Sequence, residues 1–366
     1  MMNASTQGDI AKSDIQISPF GDFILSSRQR AKSFLVEELV SREPLRIHLK
    51  YPVSVVWLTS RRCNLSCRHC FNACSPQVKE SHHMDPYVIA DQIIECQPYS
   101  MCLCGGEPLV WEPFFDIVRH LYSGGLRSIG IVSNGYLVTK ENIARLNKAG
   151  LDNIQFSMDG FRPETHDWLR QKPDSHRRVL NAIEYATKEG FDVAVAFCPT
   201  RFNVNEIGDA IDLLVEKGVK QIRCQPFMPL GNGFLNAGQL TPTEEQYFLF
   251  KWTIKRKDKE YSAQGIRFEW GDPLEHISIF SHQKSLMHIM SVCEDGAVEL
   301  SPYIPVRIGH IGKHSLLEYF NMGLMEKAWQ HPVVKEYAKT LSVIRGMTLL
   351  KPRPYFDPPI LLDLLN

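Results

Sequence analysis

Three cysteines in the segment CNLSCRHC, namely Cys63, Cys67 and Cys70, carry the strongest chemical signal in this chain. At this spacing three thiolates can hold three irons of a cubane cluster and leave the fourth iron open to a small molecule. A structural zinc site asks for four ligands in two separated pairs, and no second CxxC lies downstream. Cys74 keeps a second reading in play, because a fourth nearby thiol can close the site on its metal. His69 places an aromatic ring just before the last of the three cysteines.

The elements that must position these thiols begin at residue 53. Short runs rich in β-branched and apolar residues predict strands at Val53–Ser60, Ser100–Cys104, Arg127–Ser133, Asn153–Ser157, Asp192–Cys198 and Lys220–Phe227. Between them lie helix-like stretches at Asp85–Glu95, 112–123, 139–150, 176–190 and 206–218, three of which end at Gly150, Gly190 and Gly218. Strand alternating with helix implies parallel strands joined by right-handed crossovers. Six such units fall short of the eight that close a barrel. The expected fold is α/β, a partial (βα)6 TIM-like barrel at 51–235 with an α+β C-terminal cap at 236–366. Residues 1–50 form an N-terminal extension with one amphipathic segment, Arg28–Val40, read as a helix. The Pro/Gly/Asn-rich stretch after Leu230 reads as the hand-over to a helix near Thr243. Beyond it, a short strand pair turns at Asp295–Gly296, and the proline-rich end reads as an extended arm.

In a parallel βα sheet, ligands gather where strands end. The unusual residues fall there: the three cysteines after strand one and Gly105–Gly106–Glu107–Pro108 after strand two. Ser133–Asn134–Gly135, Ser157–Met158–Asp159–Gly160, Cys198–Pro199 and Cys224–Gln225–Pro226 follow the next four. Each fragment alone is a turn; their shared register along the sheet marks a site.

On these residues the chain resembles the radical S-adenosylmethionine (SAM) enzymes, whose paired signature is a CxxxCxxC loop followed by Gly-Gly-Glu-Pro. The resemblance covers residues 53 to about 230. It implies that Cys63, Cys67 and Cys70 hold one [4Fe–4S] cluster whose open iron takes SAM. One electron, from a flavodoxin- or ferredoxin-type donor, then splits SAM into methionine and a radical that removes a hydrogen atom. It also implies SAM contacts from Gly105, Gly106 and Glu107 to the ammonium, and from Ser133, Asn134, Ser157 and Asp159 to the ribose or the carboxylate. His69 would pack on the adenine. Arg170 resembles the arginine that pairs with the SAM carboxylate in peptide-modifying members, although Gln171 stands where a glycine is usual; a solvated helix face is its other reading.

Ser291–Phe320 resembles the SPASM or twitch extension of many such enzymes, with Ser301 where a cluster cysteine is expected. Only Cys293 remains in the last third, so the auxiliary cluster is expected to be lost and the scaffold kept. That favours a redox-neutral outcome such as epimerisation, which needs a hydrogen donor. Cys198 and Cys224 are the candidate thiols, against a reading of both as buried core residues. Cys102 and Cys104 are expected in the core. His82 and His83 read as exposed loop residues rather than ligands, His310 and His314 flank the Gly312 turn with a metal role as the lesser reading, and Trp270, Tyr303, Tyr319 and Trp329 read as cap core or pocket lining.

Lysine plus arginine, 41, equals aspartate plus glutamate, 41. The chain therefore lacks the basic field that steers onto nucleic acid or anionic membranes, and it has no apolar run long enough to span a bilayer. Ten clustered and scattered cysteines in 366 residues fit a reducing cytoplasm better than a disulfide framework. The expected substrate is a peptide, with a sugar, nucleoside or amino-acid-derived metabolite as the alternative. The rival from another class is a non-enzymatic protein in which Cys63, Cys67, Cys70 and Cys74 close on zinc.

Overall fold

The computed structural model describes residues 16–17, 23–24, 50–79, 84–270, 289–341, 360–362 and 364. The expected helix at Arg28–Val40, His82 and His83, and most of the proline-rich arm lie outside the described residues. All six expected strands form: β1 (Ser54–Ser60), β2 (Ser100–Gly105), β3 (Ile129–Ser133), β4 (Asn153–Ser157), β5 (Asp192–Phe197) and β6 (Gln221–Cys224). They pair parallel in sequence order. The intervening helices are α1 (Pro86–Cys96), α2 (Phe114–Ser123), α3 (Lys140–Ala149), α4 (Pro163–Arg170), α5 (Ser175–Glu189) and α6 (Ile207–Glu216). Local chemistry sets their ends. The Asp85 side chain accepts from Tyr87 N ahead of Pro86, and Thr139 and Asn142 form a capping box on α3. Gly150 closes α3 at φ 94°, a conformation that costs other residues dearly.

The last third does not stand apart from the barrel. After α7 (Glu244–Tyr261), strand β7 (Arg267–Trp270) pairs parallel with β6. Strand β8 (Ile289–Cys293) pairs parallel with β1 at the opposite edge. Then β9 (Ala297–Ser301) and β10 (Ile304–His310) run antiparallel outward, and β11 (Ile360–Leu361) pairs with β10. The result is one 11-stranded sheet with β11 and β7 at its edges. Six barrel strands thus become eight parallel ones in a sheet that is not closed. The expected cap is a continuation of the barrel wall, flanked by α8 (Leu316–Asn321), α9 (Leu324–Gln330) and α10 (Pro332–Leu341).

Alternation along the strands sorts the two faces. Val55, Trp57, Met101, Leu103, Ile131, Ile154, Phe156, Val195 and Ile222 turn outward to Ile89, Phe114, Ile117, Leu146, Val179 and Ile211 of the helices, and this layer is the core. The inward positions are mostly small or polar, among them Cys102, Cys104, Gly130, Gln155, Ser157, Ala194 and Ala196, with Val56, Leu58 and Val132 as the larger apolar exceptions. Barrel interiors are usually filled by bulky branched side chains. Here the small ones leave a cavity open toward the strand ends.

Candidate active site

That cavity is lined by Cys63, Cys67, Cys70, His69, Gly105, Gly106, Glu107, Ser133, Asn134, Ser157, Asp159, Arg170 and Cys198, among others. Every expected site residue except Cys224 lines it. Cys224 is fully buried, and its register partner Phe197 belongs with it to the outer core under α7, so the hydrogen-donor role expected of Cys224 is withdrawn. Cys104, expected in the core, is half-buried and lines the cavity.

The two signature glycines serve the cluster loop first. A Cβ on Gly105, at φ 118°, would lie 2.5 Å from the Ser60 carbonyl oxygen, and one on Gly106 only 1.8 Å from that of Arg62. With no side chains there, Gly106 N donates to Ser60 O at 2.6 Å and Glu107 N to Arg62 O at 3.0 Å. The end of β2 is thereby stitched to the chain entering the cysteines. Gly106→Ala is expected to push residues 61–63 aside and to lower iron uptake on anaerobic reconstitution roughly tenfold, in line with overpacking strain of about 1–3 kcal/mol.

Glu107 is buried and bridges two strand ends. It accepts from Ser133 Oγ at 2.9 Å, Asn134 N at 2.8 Å and Leu109 N at 3.3 Å. Burial pushes its carboxyl up to about 7 despite the hydrogen bonds from Asn134 and Ser133. A carboxyl raised above its unfolded value favours the fold at low pH and loses that contribution as pH climbs. Glu107→Gln is therefore expected to flatten the decline in thermal stability of the metal-free chain between pH 4.5 and about 7, read by melting curves across that window.

Asn134 reaches the cluster loop, its Nδ2 donating to Asn64 Oδ1 at 2.8 Å and lying 3.6 Å from Cys63 Sγ. Asp159 is the hub of the opposite wall. It accepts from Arg170 Nη2, stands 3.0 Å from His69 Nε2, and accepts from Cys198 N at 2.8 Å. Burial raises its pKa, but the Arg170 guanidinium and the His69 ring outweigh that and hold it well below the usual carboxylate range. Its oxygens are thus taken up by protein donors. Arg170, half expected on a solvated helix face, is buried and also points Nη1 at Cys67 Sγ, 3.7 Å away. Burial raises the Cys67 thiol to about 11 against that pull.

Cys74 is buried, with its Sγ 3.4 Å from the Gly105 carbonyl oxygen and its N donating to Cys70 Sγ at 3.4 Å. Contact with Cys74 holds the Cys70 thiol below its ordinary value, while the same contact and burial push Cys74 up. Among the described residues no three His, Cys, Asp or Glu side chains stand close enough to share one metal ion.

Residues 57–229 match the model of the radical SAM superfamily. That segment is a radical SAM domain, the domain of a superfamily of iron–sulfur enzymes whose cofactors are a [4Fe–4S] cluster and SAM. It is 30% identical over 216 residues to the AdoMet-dependent heme synthase of Methanosarcina barkeri, an alignment covering 57% of this chain and 60% of that protein. It is 28% identical over 233 residues to the mycofactocin maturase MftC of Mycolicibacterium smegmatis, covering 63% and 57%. The chain thus spans three-fifths or less of these curated relatives. Among solved structures, Streptococcus suis SuiB bound to SAM superposes with a TM-score of 0.61 at 13% identity over 91% of this chain and 82% of that one. Native anSMEcpe with bound AdoMet superposes with a TM-score of 0.58 at 18% identity over 79% and 83%. These two share the fold. The match to an enzyme superfamily displaces the zinc-binding interaction protein as a reading.

The cavity fits both cofactors chemically. The three signature thiols line it beside a buried arginine, and His69 Nδ1, Asn72 Oδ1 and Arg170 Nε are buried there without a hydrogen-bond partner. Buried polar atoms are rarely left so, and a charged, polar ligand such as SAM supplies what they lack. Sequence reasoning missed the residues that hold this wall in place. Asn203 Nδ2 donates to Asp159 O at 3.0 Å and to Cys198 O at 2.9 Å, and His166 Nδ1 accepts from Asp159 N at 3.1 Å. Neither stands out in the sequence, because a lone histidine or asparagine between site residues carries no spacing signal of its own.

Proposed function

We propose that this chain is a radical SAM enzyme that removes a hydrogen atom from a peptide substrate with a redox-neutral outcome such as epimerisation. Cys63, Cys67 and Cys70 hold the cluster, and Gly105, Gly106, Glu107, Ser133, Asn134, Ser157, Asp159, Arg170 and His69 form the SAM pocket. When bound, the cluster and SAM together supply one-electron cleavage of SAM and hydrogen-atom abstraction. The chain's own residues fix the reacting geometry and exclude water. Arg170, neutralised by Asp159, presents a buried cation to a carboxylate. The electron comes from a flavodoxin- or ferredoxin-type carrier. Residues 236–366 serve as a SPASM/twitch-like region without an auxiliary cluster. Ser301 supports that reading, since it is buried and its Oγ accepts from Tyr303 N at 3.2 Å, as a turn cap. Iron analysis is expected to give roughly four irons per chain, one cubane's worth; about eight would overturn the claim.

The observation that carries the peptide reading is the neutral part of the cavity wall, where Gln225 Nε2 donates to Tyr303 Oη at 3.5 Å and the Phe71 ring packs on that of Tyr303. Gln155, Gln225 and Tyr303 form that part with Phe71, Pro226 and Met228, neutral hydrogen-bonding groups among apolar ones. Such a lining suits amide groups. A relative named a mycofactocin maturase and the solved SuiB complex with precursor peptide SuiA are consistent with it. Relatives named heme synthase and GTP 3′,8-cyclase favour a small-molecule substrate as the second reading. The test is 5′-deoxyadenosine release with dithionite and SAM, challenged with peptides and, separately, with nucleosides, sugars and tetrapyrroles. Stimulation by the small molecules alone would overturn the peptide reading.

Cys198 lines the cavity, and burial and the Asp159 charge raise its pKa well above the ordinary thiol value. It therefore keeps its S–H, as a hydrogen donor must. Quenching would leave a thiyl radical on Cys198 that one further electron from the same carrier and a solvent proton return to S–H, so in D2O the redox-neutral product is expected to carry one deuterium. Cys198→Ala should still release 5′-deoxyadenosine while losing that product, and undiminished deuterated product from the variant would remove the role.

A further inference from the structure

The stretch Pro229–Asn236, which in the sequence reads as a hand-over between domains, lies against the cysteine loop. The loop from Cys63 to Cys70 has no helix or strand to satisfy its backbone, so its carbonyls need donors from elsewhere. Asn232 N donates to Cys70 O at 2.8 Å. Asn232 Nδ2 donates to Cys67 O at 3.1 Å, and Asn236 Nδ2 to Arg68 O at 3.0 Å. The two asparagines are four residues apart on a single helical turn, which puts both carboxamides on one face. Glycines make the close approach possible. A Cβ on Gly231, at φ 54°, would lie 2.4 Å from Phe71 O and 2.7 Å from Cys70 O, and one on Gly233 would lie 3.3 Å from His69 O. From the other side, Gln171 Nε2 donates to Ser66 O, and Arg68 N donates to Leu169 O at 2.8 Å.

We infer that Gly231–Asn236 is a clamp that shapes the cluster loop before the cluster arrives, with Asn232 and Asn236 as positioning residues. With Cys67, Arg68 and Cys70 carbonyls drawn onto the clamp, the loop's N–H groups stay turned to the sulfurs. Leu65 N lies 3.4 Å from Cys63 Sγ, and Cys74 N lies 3.4 Å from Cys70 Sγ. Such bonds tune the potential of a cluster through its ligands. Asparagine is required because it donates. Aspartate, of the same shape, would turn a carboxylate toward those carbonyls and add negative charge beside the cluster.

The inference rests on the cluster reading above, and the experiment separates the two. The full chain is reconstituted anaerobically as wild type, Asn232→Ala/Asn236→Ala, Asn232→Asp and Gly231→Ala. Iron loss to a chelator, the midpoint potential of the cluster and melting of the metal-free chain are measured. The expected result is iron loss roughly tenfold faster in the double variant, the size of effect reported for removed outer-shell partners. Asn232→Asp is expected to shift the potential negative, with barrel melting close to wild type. Wild-type release rates and potentials in all three variants would overturn the clamp alone. A wild-type chain that takes up no iron would overturn the cluster reading and the clamp with it.

Discussion

Alanine at Cys63, Cys67 or Cys70 is expected to reduce SAM cleavage to background, whereas Cys74→Ala is expected to keep both cluster and cleavage. The four thiols are close in sequence, and spacing alone leaves Cys74 a candidate fourth ligand. Geometry separates it. Cys63, Cys67 and Cys70 belong to the loop held by β2, α4 and the 231–236 turn. Cys74 also lines the cavity, but it lies past that loop, buried, with its thiol directed at the Gly105 carbonyl. Removing it costs one hydrogen bond, about 0.5–1.5 kcal/mol, and leaves the ligand set whole. Removing a ligand leaves the cube with two thiolates, and the open corner loses its meaning. The measurement is iron per chain together with 5′-deoxyadenosine released under dithionite. A cluster lost in Cys74→Ala would show four protein ligands and sink the open-iron mechanism.

Much of this was legible because period and position speak together. The six barrel strands fall within a few residues of their sequence-derived bounds, since β-branched runs between glycine-terminated helices leave few alternatives. The site residues were legible because they share one end of the sheet. Two things were hidden. One is the return of the sheet through β8, because strand pairing between residues more than two hundred positions apart, Met290 with Val55, leaves no local trace. The other is which way a residue faces. Cys104 and Cys224 each end a strand, yet register turns Cys104 into the cavity and Cys224 into the outer core. A one-residue difference in phase reverses that outcome, and the ends of short strands do not reveal their phase. The glycines were legible as special but for another reason than expected, since their bare Cα atoms admit backbone at residues 60–62.

Arg170→Ala is expected to do two separable things, and the pair Arg170–Asp159 allows them to be told apart. Both side chains are buried. Stripping the guanidinium leaves the Asp159 carboxylate with His69 and the Cys198 N–H, and breaking a buried pair from one side costs about 3–5 kcal/mol. That loss concerns folding alone. Arg170→Ala/Asp159→Asn removes the stranded charge and keeps an acceptor for Cys198 N, so most of the lost stability is expected to return. SAM binding is not. The Nε of Arg170 is buried and without a partner, and nothing in the double variant replaces a buried cation facing a carboxylate. Denaturant melts of the metal-free chain and SAM binding to cluster-loaded chain, normalised to iron, give the two readings. Normalising matters because Arg170 also approaches Cys67 Sγ. Recovery of both stability and SAM binding in the double variant would make Arg170 a partner for Asp159 and nothing more. Recovery of stability alone would show that the protein keeps one buried carboxylate to hold one buried cation ready for its ligand.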